Sequence, residues 1–142
     1  MLKAVLSPFA DRAYALLRII AGLMFSFHGM QKIFGLLSDH PKPGFGTQTW
    51  FGGMIELAAG LAIAIGLFTR CAAFLASGTM AVAFWQFHVI GSKLEGISRL
   101  LPGTNMGELA ALYCWLFLFI ACKGGGPWSV DARRAKKRSE SS

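Results

Sequence analysis

The sequence predicts an all-α, membrane-embedded four-helix antiparallel bundle, and three observations carry that expectation. Four apolar runs, at residues 13–37, 49–68, 71–90 and 105–122, come close to or exceed the about 20 apolar residues that a bilayer crossing needs. Only 15% of the 142 residues are charged, 54% are hydrophobic and the mean hydropathy is +0.51, whereas a soluble domain averages about 25% charged. The few polar residues within the runs fall on particular helix faces, as they must when each ionisable group in a span has to meet another polar group or water.

The first run organises the rest. At 100° per residue, Arg18, Gly22, Phe25, Gly29 and Lys32 share one side, with His28 on its flank and Gln31 beside Lys32. The twelve residues before it carry Lys3, Pro8, Asp11 and Arg12 and no short apolar core ending in a cleavage site, so this span is expected to be its own uncleaved insertion signal. Leu2, Val5, Leu6 and Phe9 suit a short interfacial lead-in. A Pro/Gly stretch over 38–46 cannot continue a helix.

The second run starts with Thr49 as its expected N-cap. Gly52, Glu56 and Gly60 repeat every four residues along it, a small-residue stripe with a carboxylate at its centre, expected to let a neighbouring backbone approach. Thr69-Arg70 is the whole expected connection to the third run, making an antiparallel hairpin. Ala73, Ala76, Ser77 and Ala81 give the third run its own small-residue surface. A loop with Lys93, Glu95, Arg99, Pro102 and Gly103 comes next, with an interfacial turn expected around 94–101. Asn105 and Glu108 stand at the spacing of a capping box opening the fourth run, and Gly124-Gly125-Gly126-Pro127 closes it. Residues 1–131 therefore read as one membrane domain, and 132–142 as a basic, disordered tail.

The formal net charge is +7, but Arg133, Arg134, Lys136, Lys137 and Arg138 crowd into the last ten positions. A basic cluster just past a span reads as a topology determinant or an anionic-lipid contact, not as nucleic-acid recognition. With Lys3, Arg12, Arg70 and Lys123 they put nine basic groups on one side, against Lys42, Lys93 and Arg99 on the other. The positive-inside rule then places both termini in the cytoplasm. Tyr14, Trp50, Trp85 and Trp128 fall near span ends, as interfacial aromatics do. Cys71, Cys114 and Cys122 show no metal-binding spacing and read as packing residues.

Depth supplies the functional expectation. At 1.5 Å per residue from the outer end of each span, Glu56 lies about 10 Å in, Glu108 about 5 Å, Gln86 and His88 about 3–6 Å, Lys32 about 8 Å and His28 about 13 Å. With Asn105 and Gln31, these groups point to a polar layer in the outer half, whereas the inner half offers Arg18 and the span-edge Arg70. Each has a plainer alternative. Glu108 suits capping, His88 an interfacial position, and Lys32 and Arg18 snorkelling. Glu56 between two glycines is the hardest to explain without a partner, and Lys32, His28 or Arg18 is the expected one.

The blocks Leu17-Arg18-Ile19-Ile20-Ala21-Gly22, His28-Gly29-Met30-Gln31-Lys32, Gly53-Met54-Ile55-Glu56, Gly66-Leu67-Phe68-Thr69-Arg70, Phe87-His88, Asn105-Met106-Gly107-Glu108 and Gly124-Gly125-Gly126-Pro127-Trp128-Ser129-Val130-Asp131 succeed one another in an order that resembles the DoxX family of small four-span membrane proteins. The resemblance implies a bacterial-type inner-membrane protein connected with redox work, including quinone-coupled reactions and oxidoreductase assemblies. On that reading Glu56, His28 and Lys32 are the candidate catalytic groups, and Arg18, Gln31, Gln86, His88, Asn105 and Glu108 the candidate ligand-binding ones. Quinone is the expected cofactor, with electrons coming from a partner oxidoreductase subunit or a bound prosthetic group because the chain carries no flavin or nicotinamide fingerprint. Two other classes stay open: a haem or metal site using His28, His88, Glu56 and Glu108, and a scaffold without chemistry of its own. Membrane lipids and a second copy of the chain are the remaining candidate partners.

Overall fold

The computed structural model describes residues 2–38 and 41–141. Asp39 and His40 of the Pro/Gly stretch lie outside the described residues. Helix α1 (Leu2–Leu6) runs through a 3-10 turn containing Pro8 into α2 (Ala10–Phe34), which Gly35 ends in the left-handed region at φ 65°. The amphipathic lead-in is thus continuous with the first span, in one 33-residue candidate membrane segment. Helix α3 (Gln48–Ile65) is capped by Thr47, whose side chain accepts from the Trp50 N–H at 3.3 Å, so the cap lies two residues before the expected Thr49. Gly66 (φ 72°) ends α3, and the connection is Gly66–Phe68 because α4 (Thr69–Ala83) already begins at Thr69.

The third span does not finish as an α-helix. Phe84–Ile90 winds as a π-helix, a rare form. After a loop containing a 3-10 turn at Gly96–Arg99 come α5 (Glu108–Lys123) and α6 (Val130–Ser139). The expected capping box does not form. Gly107 is the N-cap of α5, and Asn105 Oδ1 instead accepts from the Gly107 N–H at 2.8 Å. The expected disorder of the tail is also corrected: Ser129 accepts from the Ala132 N–H at 3.1 Å, and with Asp131 in the first turn and Lys136, Lys137 and Arg138 in the last, charges of the favourable sign flank both helix ends.

The described residues form helices and no strand. Three helical segments, residues 2–34, 48–65 and 69–90, are long and apolar enough to cross a membrane. At 16 residues α5 measures about 24 Å, short of the about 30 Å hydrocarbon core. Successive long helices run antiparallel, with α2 against α3, α3 against α4 and α4 against α5.

Lipid tails are as apolar as leucine, so burial of apolar surface alone does not hold such helices together, and close packing must. Between α2 and α3 it is backbone against backbone. A Cβ on Gly22 would stand 2.6 Å from the Gly60 carbonyl oxygen, and one on Gly60 2.5 Å from the Ser26 nitrogen. Gly29 meets Gly53 in the same way one level further along. The stripe facing α2 is therefore Gly53 and Gly60; a Cβ on Gly52 would meet nothing within 4 Å, contrary to its expected close approach. Between α2 and α5 the filling is aromatic, with Phe25 wedged against Phe117 (ring centroids 4.7 Å) and Tyr113 (5.7 Å). Leu16, Ile20, Leu23, Phe74, Leu112 and Trp115 point outward and exposed, as side chains facing acyl tails would.

Candidate functional site

The glycine register of α2 and α3 places a short ion pair within the bundle. Lys32 lies on the last turn of α2, and its stem passes over Gly53, where a Cβ would stand 2.9 Å from Lys32 Cβ. The chain can therefore carry the ammonium to Glu56, with Nζ 2.5 Å from Oε1. Glu56 is 2% exposed, while the Lys32 side chain keeps 38% of its surface. The pair satisfies only half of the carboxylate, because Oε2 is buried and has no hydrogen-bond partner. A buried carboxylate with a free oxygen is costly unless it is protonated or another donor reaches it.

That carboxylate stands at the wall of a slot of about 280 Å³ between α3 and α4, whose lining also includes Lys32, Gln48, Gly52, Gly78 and Gln86. The slot exists because two of its wall positions lack side chains: neither at Gly52 nor at Gly78 would a Cβ meet any atom within 4 Å. Gln48, first residue of α3, and Gln86, in the π-helical segment, tie the two walls together. Gln48 Nε2 donates to Gln86 Oε1 at 2.6 Å, and Gln86 Nε2 donates back to Gln48 Oε1 at 2.8 Å. Phe51, Val82 and Phe87 line the slot and are exposed, so its apolar rim faces the surroundings of the bundle.

The other expected site residues do not converge here. Arg18 is fully buried near the opposite end of α2, where Nη1 donates to the Ile63 (2.5 Å) and Ala64 (2.7 Å) carbonyls and Nη2 to that of Trp128 (3.1 Å). It adds a donor to two carbonyls in the last turn of α3, of which that of Ile63 also accepts from the Gly66 N–H at 3.1 Å. Gln31 donates to the Leu37 carbonyl at 2.8 Å and holds the turn after α2. His88 stacks on Phe84 and has Nδ1 3.2 Å from the Asn105 carbonyl, and Asn105 donates to the Arg99 carbonyl at 2.7 Å, so both organise the loop. Glu108 is exposed in a separate surface depression with Pro102, Gly103 and Met106. His28 is half-buried on α2. The polar layer expected from depth alone thus divides among separate loop and helix-end tasks. Among the described residues no three His, Cys, Asp or Glu side chains come together as a metal site.

Several residues with clear roles carried no sequence assignment. Gln48 stands four before Gly52 and eight before Glu56, a helical spacing that places it on the slot face. Asp131 caps α4 from 62 residues away: its carboxylate accepts from the Thr69 N–H and hydroxyl, both at 2.8 Å, and from the Phe68 N–H at 3.0 Å. Burial alone would raise the Asp131 carboxyl, but the hydrogen bonds from Thr69 and Phe68, with Arg134 nearby, outweigh it and hold the group below the usual carboxylate range. Arg70 does the corresponding work for α5, donating to the carbonyls of Ala121, Cys122 and Lys123, and the Tyr14 hydroxyl donates to that of Gly124.

Three helices long and apolar enough for a bilayer, an apolar outer surface and an acid–base pair buried between the first two spans define a polytopic helical membrane protein. The DoxX family model matches residues 13–89, and the chain belongs to that family. A protein of Haemophilus influenzae, described only as an uncharacterized protein, is 36% identical over 126 residues, covering 87% of this chain and 91% of its own length. No solved structure matches the chain.

Proposed function

We propose that the chain is a four-span inner-membrane protein with cytoplasmic termini that binds a quinone in the slot between α3 and α4, as the quinone-interacting subunit of a redox assembly. The observation that supports this reading is the buried, unpartnered Glu56 Oε2 at the slot wall, next to a lysine that is only half-buried. A quinone ring offers two carbonyl acceptors, and donors stand there: the Lys32 ammonium, held by Glu56, and an amide released from the Gln48–Gln86 pair. The exposed Phe51, Val82 and Phe87 rim suits the hydrophobic tail of an amphiphile arriving from the bilayer. A bound quinone would supply two-electron, two-proton redox chemistry, with the electrons coming from a partner. Glu56, between Lys32 and the slot, is positioned to hold and pass on one proton.

The test is a titration of the purified full-length protein with a short-tailed quinone, followed by tryptophan fluorescence. Glu56→Gln is expected to weaken binding at least about tenfold, because the Lys32 ammonium loses the charge-assisted hydrogen bond that fixes it at the slot. Gly78→Leu, which fills the slot from a position with open space around it, is expected to block binding while leaving the thermal unfolding midpoint near that of the native chain. Native-like affinity in both variants rejects the site.

A further inference from the structure

Helix α6 is strongly polar, yet it is fixed in place. Its first turn is pinned against the α3–α4 connection by the Asp131 carboxylate on Phe68 and Thr69, and by the Asp131 N–H donating to the Gly66 carbonyl at 2.9 Å. That connection ends two helices long and apolar enough to cross a membrane, so α6 starts at the bilayer surface. The acid within α6, Asp131, caps α4. Arg134, Lys137 and Arg138, at positions i, i+3 and i+4, share one side and with Ser141 line a concavity of about 400 Å³. The Arg134 guanidinium carbon sits 5.6 Å from the centroid of the Phe68 ring, which is 66% exposed.

The geometry points to a binding site for the headgroup of an anionic phospholipid on this face of α6. Arg134, Lys137 and Arg138 bind the phosphodiester of a lipid in the adjoining leaflet, and its acyl chains run down beside Phe68. A cluster of cations on a loose tail attracts any anionic surface; here the Asp131 clamp sets their height and direction relative to the membrane. A soluble polyanion can use the cations but not the apolar ring beneath them. The site is at the opposite end of the bundle from the Lys32–Glu56 slot and does not depend on what that slot binds.

The experiment is a calorimetric titration of the full chain in a neutral detergent with dioctanoyl phosphatidylglycerol, with glycerol phosphate as the soluble arm. Arg134→Gln/Lys137→Gln/Arg138→Gln is expected to weaken lipid binding on the order of a hundredfold, given the contribution of each cation near an anionic headgroup. Arg133→Gln/Lys136→Gln, which discharges the rest of the same helix, is expected to weaken it less than about fivefold. All five side chains are exposed, so both variants retain the fold, checked by thermal unfolding. Equal losses in the two variants mean diffuse charge attraction and overturn the site. Glycerol phosphate binding as tightly as the lipid overturns the assignment to a membrane lipid, and so does the absence of measurable lipid binding by the native chain.

Discussion

Glu56 has one oxygen against Lys32 and one against nothing, and that imbalance makes the pair testable. Removing one member of a buried ion pair typically costs about 3–5 kcal/mol. Lys32→Met is expected toward the low end, because the lysine side is open enough for water or a proton to compensate. The double variant Lys32→Met/Glu56→Gln should recover much of the loss, since no buried charge is left over. Thermal unfolding in detergent measures this, and a double variant no more stable than Lys32→Met alone would contradict the pairing. Asp131 makes a second prediction, through pH. Its folded-state carboxyl titrates below its unfolded value, so its contribution is complete above about pH 4 and is lost as pH falls through the folded-state value. The native midpoint should therefore drop on acidification below about pH 4 by more than that of Asp131→Asn, which already lacks the carboxylate; parallel profiles would refute the role. The Lys32 contact was legible because depth and charge sign are both written in the sequence. The Asp131 contact was not, since two of its three donors are backbone N–H groups more than 60 residues away, which no side-chain pattern records.

At the scale of elements, the α2–α3 contact is decided by which glycine faces which helix. Spacing by four picked out Gly52, Glu56 and Gly60, and in the fold this row divides. Gly60 faces α2 together with Gly53, seven residues earlier, opposite Gly22 and Gly29, also seven apart; Gly52 lines the slot. Steps of four and seven both return to nearly the same face of a helix, so the sequence identified the stripe but not its edge. Gly60→Ala puts a methyl 2.5 Å from the Ser26 nitrogen and forces the helices apart, an overpacking expected to cost about 1–3 kcal/mol or more. Gly52→Ala meets no atom and gains helix propensity of up to about 1 kcal/mol, so its midpoint should stay level or rise. If Gly60→Ala unfolds at the same temperature as Gly52→Ala, backbone contact is not what joins these helices. The π-helical end of the third span was not legible either, because Phe84–Ile90 has the same apolar pattern as an ordinary helix end.

Across the whole molecule the two ends of the bundle are built differently. At the end bearing the termini, helix ends are closed by side chains from elsewhere in the chain: Arg18 on α3, Arg70 on α5 and Asp131 on α4, with Ser129 packed where a Cβ on Gly66 would stand. At the other end Lys32, Gln48 and Gln86 leave a slot between α3 and α4. The segment after α5 therefore belongs to the folded domain through Asp131, and only the later turns of α6 are peripheral to its stability. Two truncations separate these roles. A chain ending at Ala135 keeps Trp128, Ser129 and Asp131, and is expected to unfold within about 1 kcal/mol of the full protein, as changes at exposed positions do. A chain ending at Gly126 loses the α4 cap and the Trp128 carbonyl that Arg18 uses, and should lose about 2–4 kcal/mol, the sum of a cap and a buried charge-assisted hydrogen bond. Denaturant or thermal unfolding of the two in the same detergent makes the comparison. Equal stability of the two chains would show that the Asp131 and Trp128 contacts do not hold that end closed, and that the domain ends with α5.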